Sequence, residues 1–437
     1  MIADVQALQP RLEALLGAGA VTAAAPADSG AGPRWGVDGV VPRLVARPVD
    51  AEQAAAVLRV CAELRAAVVP WGGGTCIEIG NPPHAADVIL LTERLSRVID
   101  YDDANLTVTV EAGATLGALS AVLAERGQWL PLEPPRAEAA TVGGAAATNL
   151  SGPRRMAFGA ARDLAIGVRA ALTDGSVIKW GGKAVKNVAG YDMAKLFVGS
   201  LGTLGLLTEL TLKVYPLPET TRTITAWRKD LGNGLRPASD LANTILASPL
   251  LPTAVTIVNP VALGLRAGVL VRVEGIEAAV DRHERDIMSW ASQAGLATEV
   301  LAGDDEQDAW RGIRDVGWRN RQAAVRLSVA VGRVTAVLTE LETALPASAG
   351  VVAHVPAGTI WIAEWPDELA PVLPALRDLT QRHSGHLLLA RAPRELKAGG
   401  DVWFPAPASA ALSLMRGLKR AFDPHNILNP GRYVSGL

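Results

Sequence analysis

The sequence predicts an α+β protein with two main domains, and three observations lead to that prediction. The chain has 437 residues, which corresponds to two or three domains at ~100–200 residues each. From about residue 40 to 218, apolar runs of strand length alternate with amphipathic helical segments. Strand-like and helical segments alternate again to about residue 405, which indicates an antiparallel sheet covered by helices on one face. The expected organisation is a leader helix and loop at 1–36, a first domain at 37–218, a second at 219–405 and a C-terminal helix and tail at 406–437.

Composition and charge exclude several classes of protein. Hydrophobic residues make up 49% and charged residues 20%, so the chain is not intrinsically disordered. A net charge of -2 gives no strong field to attract nucleic acid or an anionic membrane. Two cysteines cannot ligate an iron–sulfur cluster or form a disulfide framework, and they fit a reducing compartment. With no apolar run of ~18 residues, we expect a cytoplasmic protein without a transmembrane segment or a nucleic-acid partner.

Caps and turns mark the elements of the first domain. Asp50 and Thr115 are each placed to cap a helix. The continuous apolar run at 88–91 predicts a strand buried on both faces. Asp174-Gly175 between two apolar runs predicts a hairpin, and a further strand is expected at 206–214.

Helical spacing marks both ends of the chain. Leucines at 8, 12, 15 and 16 share one face of a predicted helix, and a loose connection follows from 17 to 36. An amphipathic helix is predicted at 408–422, with an extended tail at 423–433. The expected strands of the second domain are 224–227, 255–258, 269–273, 325–331, 360–364 and 387–391, and its main helices are 277–293 and 367–383.

Glycine is concentrated in loops that could hold phosphate groups. Residues 141–205 contain 12 of the 43 glycines, and the candidate loops are 72–75, 141–144 and 199–205. Without a Cβ, backbone N–H groups can approach a ligand closely, and successive N–H groups suit phosphate oxygens. No loop has the Walker A or the G-x-G-x-x-G spacing, which disfavours an ordinary P-loop or NAD(P) site. Each loop taken alone could be a tight turn, whereas two such loops ~70 residues apart favour one extended dinucleotide.

Four motifs occur in a characteristic order: Pro70-Trp71-Gly72-Gly73-Gly74-Thr75, Val110-Glu111-Ala112-Gly113-Ala114-Thr115, Thr141-Val142-Gly143-Gly144 and the 199–205 loop. As a set they resemble the FAD-binding domain of the vanillyl-alcohol oxidase superfamily. The segments 181–192 and 422–432 are similar to the FAD-binding subunits of bacterial glycolate oxidases, which are dehydrogenase complexes. The resemblance covers about 40–218 and 385–433.

The resemblance implies a two-lobed FAD-binding domain of the vanillyl-alcohol oxidase type, followed by an antiparallel-sheet α+β cap domain. It implies non-covalently bound FAD as the cofactor. The cofactor-binding residues that it implies are Gly72, Gly73, Gly74, Thr75, Cys76, Thr141, Val142, Gly143, Gly144, Thr148, Gly152, Gly159, Glu209 and Asn429. The pyrophosphate would lie over 72–76 and 141–144, the flavin near Gly152 and Gly159, and the adenine end near Glu209. Asn429 would return to the flavin ring, although an Asn before Pro also simply makes a turn.

Oxidation of a 2-hydroxy acid requires a cation for the carboxylate, a base for the hydroxyl proton and a flavin to accept hydride. Related dehydrogenases carry a His-x-Gly-Asp-Gly-Asn-x-His motif in the second domain. The counterpart here is His354-Val355-Pro356-Ala357-Gly358-Thr359-Ile360, which keeps one His and one Gly. His354 is therefore the candidate catalytic base, with a packed core histidine as the alternative. His383 and His386 are read as a helix-end pair, and no metal site is expected.

Three functions follow as hypotheses. The first is an FAD-binding subunit that takes part in the oxidation of glycolate to glyoxylate. It would work beside a second flavoprotein subunit and an iron–sulfur subunit, and these partner subunits would associate it with a membrane. The second is a self-sufficient FAD-dependent 2-hydroxy acid oxidase or dehydrogenase. The third is a non-catalytic scaffold subunit that binds FAD as a structural element.

Overall fold

The computed structural model describes residues 5–17, 19–24, 35–183, 191–228, 234–264, 267–319 and 323–437. These residues form two lobes, at 5–91 and 98–216, and a larger cap at 220–404, and the chain then returns to the lobes. No described helix is long and apolar enough to cross a membrane.

The first lobe is a small mixed sheet with helices on it. Its elements are α1 (Val5–Leu16), β1 (Val21–Ala23), β2 (Leu44–Ala46), α2 (Ala51–Leu64), β3 (Val68–Trp71) and β4 (Val88–Leu91). The strand order is β1-β2-β4-β3, with β1 antiparallel to β2 and the other pairs parallel. The predicted cap is confirmed, because the Asp50 side chain accepts a hydrogen bond from the Gln53 N–H at 2.7 Å.

The structure has the predicted leader helix, but a strand lies within the loose connection that was expected from 17 to 36. Helix α1 packs against α2, Leu8 and Leu12 are fully buried, and β1 extends the sheet. A strand of three residues is too short to show a period of two in the sequence, which explains why the pattern did not reveal it.

The second lobe is an antiparallel sheet in the order β5-β6-β10-β8-β9, with a separate pair of β7 and β11. Its elements are β5 (Val98–Asp102), β6 (Thr107–Glu111), α3 (Leu116–Ala124), β7 (Gln128–Trp129), α4 (Val142–Thr148), α5 (Arg155–Phe158), α6 (Ala161–Leu164), β8 (Ala165–Ala171), β9 (Val177–Gly181), α7 (Ala194–Phe197), β10 (Leu206–Lys213) and β11 (Tyr215–Pro216). The predicted hairpin is confirmed, since β8 and β9 pair across the turn at Asp174-Gly175.

The cap contains an antiparallel sheet in the order β15-β12-β14-β13-β17-β18-β16-β19-β20. Its elements are β12 (Thr220–Arg228), α8 (Arg236–Leu246), β13 (Ala254–Val258), α9 (Pro260–Leu263), β14 (Gly268–Gly275), α10 (Glu277–Gln293), β15 (Leu296–Leu301), α11 (Gly303–Arg314), β16 (Ala323–Ser328), α12 (Val334–Ala344), β17 (Gly350–His354), β18 (Thr359–Glu364), α13 (Pro366–Leu369), α14 (Leu373–Arg382), β19 (His386–Arg391), α15 (Arg394–Lys397) and β20 (Trp403–Phe404). Short 3₁₀ turns occur at Val331–Arg333 and Val355–Ala357, and α16 (Ser409–Phe422) follows the cap.

Two elements of the cap differ from the sequence prediction. The helix expected at 367–383 is divided into α13 and α14, because Pro371 lies between them and a proline removes a helical donor. The strand expected at 325–331 ends at Ser328, where the chain soon turns into the 3₁₀ segment. Helix α10 has the predicted bounds.

The two faces of the cap sheet have different neighbours. Helices α8, α10 and α14 pack on the outer face. The strand register places Arg272, Thr256, His354, Trp361 and Arg326 together on the other, inner face. Helix α5 of the second lobe contacts β13, so the inner face is the one that meets the lobes.

One buried ion-pair network and one ion pair with an exposed carboxylate connect the cap to the second lobe. Arg154 reaches Glu133 of its own lobe at 2.8 Å and Glu274 of the cap at 2.6 Å, and all three side chains are mostly buried. Arg314 of the cap reaches Glu138 of the lobe at 3.0 Å. These contacts set the position of the inner face over the lobes.

Candidate functional site

A cleft runs between the two lobes and the tail, and its empty volume, which includes the open mouth, is about 860 Å³. The walls are formed by residues 70–77, which begin at the end of β3, by α4 and by residues 201–202 and 205–207, together with Asn429 and Arg432 of the tail. Most of the remaining lining is apolar, including Ile79 and Pro134. A large apolar cleft with a few polar groups is typical of a cofactor or substrate site.

The loop after β3 presents free backbone donors to this cleft. Among the described residues, none accepts a hydrogen bond from the backbone N–H of Gly73, Gly74, Thr75 or Cys76. The next N–H, that of Ile77, is used within the loop by the Gly74 carbonyl. Four successive N–H groups without acceptors form the kind of concavity that binds phosphate oxygens.

Glycine is required in this loop for close packing. A Cβ built on Gly73 would lie 2.2 Å from the Ala139 carbonyl oxygen, and one on Gly72 would lie 2.2 Å from the Thr141 Oγ1. Gly74 has a φ of 70°, which glycine adopts without strain. The loop is thus held against the segment that precedes α4.

The second glycine motif contributes differently. Thr141 caps α4 and accepts from the Gly144 N–H, while the Gly143 N–H is bonded to the Ala112 carbonyl at 2.7 Å. A Cβ on Gly143 would meet the Ala112 Cβ at 2.6 Å. The N–H groups of this motif are therefore used inside the protein, and Gly143 lets α4 approach Ala112, which follows β6.

The tail closes the cleft from the opposite end of the sequence. Leu428 pairs in parallel with Val68 of β3, and the Asn429 N–H donates to the Val68 carbonyl at 2.9 Å. The Asn429 Nδ2 donates to the Leu201 carbonyl at 2.6 Å, whereas its buried Oδ1 has no partner among the described residues. The hydrogen bond of the Nδ2 therefore holds the Asn429 side chain in place, and its Oδ1 remains as a free acceptor at the cleft.

Arg432 is a cleft residue that the sequence analysis did not select. It is buried, it donates to the carbonyls of Ile77 and Ile79, and its Nε has no partner within the described part of the chain. Burial lowers the pKa of Arg432 to about 10, although Asp38 and Glu78 oppose that shift, so the side chain remains charged at pH 7. It was missed because one arginine after a Pro-Gly turn carries no local signal of burial.

The structure brings ten of the predicted cofactor residues to the cleft: Gly72, Gly73, Gly74, Thr75, Cys76, Thr141, Gly143, Gly144, Thr148 and Asn429. Cys76 is there as a protonated thiol, because burial raises its pKa to about 12. The Thr148 hydroxyl donates to the Gly144 carbonyl at 3.0 Å, so it is engaged within α4. Their roles toward a cofactor stay predictions.

Four predicted residues do not line the cleft. Val142 is fully buried in the core of the second lobe. Gly152 packs against Glu133 and Gly159 against Asp163, where a Cβ would come within 2.6 Å in each case. Glu209 lies on β10 and binds Arg169 at 2.6 Å. Residues 184–190, within the 181–192 segment of the resemblance, are outside the described residues.

His354 lies at the end of β17 on the inner face of the cap and does not line the cleft. Its Nδ1 is 3.0 Å from the Thr256 Oγ1. Burial lowers the pKa of His354 to about 4. Such a weakly basic imidazole is poorly suited to take a hydroxyl proton, so these contacts favour the packed core histidine.

We expect His354 to make the protein acid-sensitive. Because its folded-state pKa is about 4 and an unfolded histidine titrates near 6.5, the unfolded state binds more protons between these values. The free energy of unfolding should therefore fall as the pH drops from about 6.5 to about 4, by a total of about 3 kcal/mol. Urea denaturation at several pH values measures this loss.

The matched variants separate His354 from other acid-labile groups. His354→Gln can still bond to Thr256 but does not titrate, so its stability should depend less on pH over that range. His386→Gln, at an exposed position, should behave like the wild type. Identical pH profiles for the wild type and His354→Gln would contradict the assignment.

Comparison with known proteins identifies two segments of the chain. Residues 42–181 match the family described as FAD binding domain, and residues 406–433 match the family described as FAD linked oxidases, C-terminal domain. The fold is similar to that of p-cresol methylhydroxylase with substrate bound, with a TM-score of 0.71 at 17% identity over 98% of this chain and 96% of that chain.

Curated relatives are also similar, two of them over most of the chain and one over a shorter segment. Glycolate oxidase subunit GlcD of Bacillus subtilis (strain 168) is 28% identical over 422 residues, 90% of this chain and 89% of that protein. The probable mitochondrial D-lactate dehydrogenase of Danio rerio is 24% identical over 429 residues, 90% of this chain and 84% of that protein. Glycolate oxidase subunit GlcE of Escherichia coli (strain K12) is 45% identical over 122 residues, 28% of this chain and 35% of that protein. By name these relatives are oxidoreductases of 2-hydroxy acids or subunits of them.

The residues of the cleft fit FAD. The N–H groups at 73–76 suit its pyrophosphate, the positions of Gly72 and Gly73 leave no space for a Cβ, and the Asn429 Oδ1 and Arg432 Nε, which have no partner among the described residues, leave one acceptor and one donor for polar atoms of a ligand. These features lie within or beside the matched segments. The chain therefore carries an FAD-binding domain and a C-terminal segment of FAD-linked oxidases, in an α+β fold that resembles vanillyl-alcohol oxidase and p-cresol methylhydroxylase and has an antiparallel cap.

Proposed function

We propose that the protein is an FAD-binding subunit of a 2-hydroxy acid dehydrogenase complex of the glycolate oxidase type. Its substrate would be a small 2-hydroxy acid such as glycolate, oxidised to glyoxylate. It would work beside a second flavoprotein subunit and an iron–sulfur subunit, because its two cysteines cannot ligate a cluster.

The observation that carries the proposal is that two kinds of polar group lie at different walls of one apolar cleft, a row of free backbone N–H groups and a buried guanidinium. The free N–H groups of Gly73, Gly74, Thr75 and Cys76 suit the two phosphates of a dinucleotide. The buried guanidinium of Arg432 provides a positive charge elsewhere along the same cleft. A long, apolar molecule with one anionic segment and one electron-accepting end fits both the row of N–H groups and the guanidinium.

In this reaction the cofactor and the residues of the cleft would have different roles. FAD, when bound, supplies the acceptor for the two electrons and the hydrogen removed from the substrate carbon. The apolar side chains of Ile77, Ile79 and Leu201 exclude water from the cleft. The positive charge of Arg432 would stabilise negative charge on a group bound beside it.

Two observations support a subunit rather than a complete enzyme. The 354–360 segment lacks the Asp, the Asn and the second His expected of independent 2-hydroxy acid dehydrogenases, and a pKa of about 4 makes His354 a weak base. The 45% identity to a glycolate oxidase subunit GlcE over 122 residues points to the same role.

A self-sufficient 2-hydroxy acid dehydrogenase is the second candidate. It is favoured by the probable D-lactate dehydrogenase that aligns over 84% of its own length. Turnover by the isolated chain distinguishes the two candidates.

Stopped-flow absorbance of the isolated, FAD-loaded chain tests the proposal against a panel of D- and L-2-hydroxy acids. We expect no bleaching of the flavin within seconds, because general acid–base catalysis worth roughly 10²–10⁴-fold would be missing. Reconstitution with the partner subunits should restore reduction. The flavin of this subunit can be followed separately if it is replaced by an FAD analogue with a shifted absorption band.

Three results would contradict the proposal in different ways. Rapid bleaching of the isolated chain would establish the self-sufficient enzyme. An analogue that stays oxidised while the complex turns over would establish a scaffold role for this flavin. A chain that does not bind FAD would exclude all three functions.

A further inference from the structure

Helix α16 is amphipathic, but the rest of the described chain does not cover its apolar side chains. Leu414 is 72% exposed and Leu418 is 38% exposed. Of the 14 residues of this helix, only Lys419 is buried in the described structure. Helix α8 of the cap, by contrast, buries five of its 11 residues. A surface helix normally turns its apolar stripe toward the core, so α16 keeps apolar surface for something outside the chain.

Two neighbouring stripes of α16 have different surroundings. Lys419 and Phe422 face the second lobe, where the ring of Phe422 meets that of Phe197 edge-on at 5.4 Å between centroids. Leu414 and Leu418 are four positions apart and therefore lie one above the other on the adjacent stripe. The helix is thus attached to the lobe along one stripe and leaves a second, apolar stripe open.

The open stripe borders a groove between α16 and the segment that begins in α7. Leu418 and Met415 line this groove from the helix, and its empty volume, which includes the open mouth, is about 720 Å³. Its apolar lining is completed on the lobe side by Leu196, Val198 and Leu204. We call this feature the α16 groove. A groove of this kind accepts an amphipathic helix that inserts apolar side chains into it.

The charge of this surface is positive. Helix α16 has three basic residues and no Asp or Glu, and no acidic side chain of the described residues lines the groove. Lys419 is paired with Asp423 and Lys195 with Asp192. Arg162, which also lines the groove, is exposed and has no ion-pair partner among the described residues. An occupant with acidic side chains would therefore complement the rim of the groove.

The loop at 199–205 separates the α16 groove from the cofactor cleft. One side of this loop lines the groove, through Gly199, Ser200, Thr203 and Leu204. The other side lines the cleft, through Leu201, Gly202 and Gly205. An occupant of the groove therefore contacts a loop whose opposite side is a wall of the cleft.

We propose that the α16 groove and the stripe at Leu414 and Leu418 bind an amphipathic segment of a partner subunit, which carries apolar anchors with acidic residues beside them. This inference rests on the proposed function, because that function supplies the partner subunits. The apolar anchors would cover the two leucines, and an acidic side chain would pair with Arg162.

Charge and shape favour this occupant over two others. A second copy of the chain would bring the basic side chains of both α16 helices together, and like charges across an interface are unfavourable. A membrane with anionic lipids would attract the same charges, but an amphipathic helix that binds a bilayer lies in its plane, which leaves a concave groove unfilled. Two leucines are a small part of the ~800 Å² that each partner buries in a stable interface, so the segment would be one part of a larger contact.

Surface plasmon resonance of the full-length, FAD-loaded chain with the purified second flavoprotein and iron–sulfur subunits tests the inference. We expect the double variant Leu414→Asp with Leu418→Asp to bind these subunits at least about 30-fold more weakly, because a few buried anchors dominate the affinity of an interface. Arg162→Glu should bind about tenfold more weakly at low salt, mainly through slower association. That loss should become smaller as the salt concentration rises.

The controls separate the groove from general effects of exposed leucines and charges. Leu251→Asp changes a leucine of the cap that is 82% exposed, and it should bind the partner subunits like the wild type. Arg236→Glu changes an exposed arginine on α8 and should also have no effect. All variants should keep the circular dichroism spectrum and the FAD absorbance of the wild type, since the altered side chains are exposed.

The possible outcomes distinguish the inference from the proposed function. If the wild-type complex assembles and is reduced by glycolate while the double variant binds the partners equally well, the inference fails and the function stands. If the wild type binds neither partner subunit, the proposed function fails and the inference fails with it. Two further results would assign the groove to another occupant and overturn the inference. One is a wild-type dimer in analytical ultracentrifugation that the double variant converts to a monomer, and the other is binding of the wild type alone to phosphatidylglycerol vesicles that the double variant loses.

Discussion

Gly73→Asp is expected to abolish FAD binding. The Cβ at this position would lie 2.2 Å from the Ala139 carbonyl oxygen, so the loop would have to move away from α4. The new carboxylate would also occupy the free N–H groups of Thr75 and Cys76 and repel the pyrophosphate. Loss of two charge-assisted hydrogen bonds alone corresponds to about 3–6 kcal/mol, or roughly 10²–10⁴-fold in affinity. The ratio of FAD to protein after purification and a fluorescence titration with FAD measure the effect.

The control for this variant is Gly332→Asp. Gly332 is exposed in the cap, and nothing lies within 4 Å of its Cβ position. That variant should bind FAD like the wild type. Normal FAD content in Gly73→Asp would show that the loop after β3 is not the pyrophosphate site.

Lys419→Ala is expected to cost about 3–5 kcal/mol of folding free energy, the cost of breaking a buried ion pair. The Lys419 ammonium is buried and donates to the Thr203 and Leu428 carbonyls at 2.9 and 2.8 Å and to the Asp423 Oδ2 at 2.7 Å. Its removal leaves the carboxylate of Asp423, which is fully shielded from solvent, without a cation. Because Leu428 and Asn429 depend on the same contacts, FAD should also be retained less well. Thermal and urea denaturation with and without FAD measure both effects.

The exposed neighbour Arg420 provides the matched control on the same helix. Arg420→Ala should change the free energy of unfolding by less than about 0.5 kcal/mol, as is usual for exposed positions. A double variant, Lys419→Met with Asp423→Leu, should recover part of the loss since it removes both charges. If Lys419→Ala were as stable as Arg420→Ala, this ion pair would not be what fixes the tail.

Local patterns predicted much of the fold. Helix α10 follows from the spacing of its apolar residues, the β8–β9 hairpin follows from Asp174-Gly175, and the α2 cap follows from Asp50. The features that the local patterns did not predict depend on residues that are distant in the sequence. Strand β1 is defined by its pairing with β2, and the inner face of the cap by the register of strands from five separate segments.

The same distinction applies to the candidate site. The glycine loop at 72–75 could be selected from the sequence because its close packing requires a missing side chain at a fixed place after a strand. Arg432 could not, because its significance lies in its burial at the cleft and in the Nε that lacks a partner in the described structure, and no sequence pattern reports that. His354 was selected for its residue type, and its burial against Thr256 is again a property of the folded sheet.

The parallel pairing of Leu428 with Val68 has a consequence for biosynthesis. Domains generally fold in order from the N-terminus as the ribosome delivers them. Here, however, the cleft takes one wall from residues 70–77 and another from Asn429 and Arg432, so nearly the whole chain must be translated before that cleft exists. The cleft can therefore be completed only after translation has passed Arg432, and a nascent chain stalled in the cap would have the glycine loop at 72–76 without the tail residues that complete the cleft.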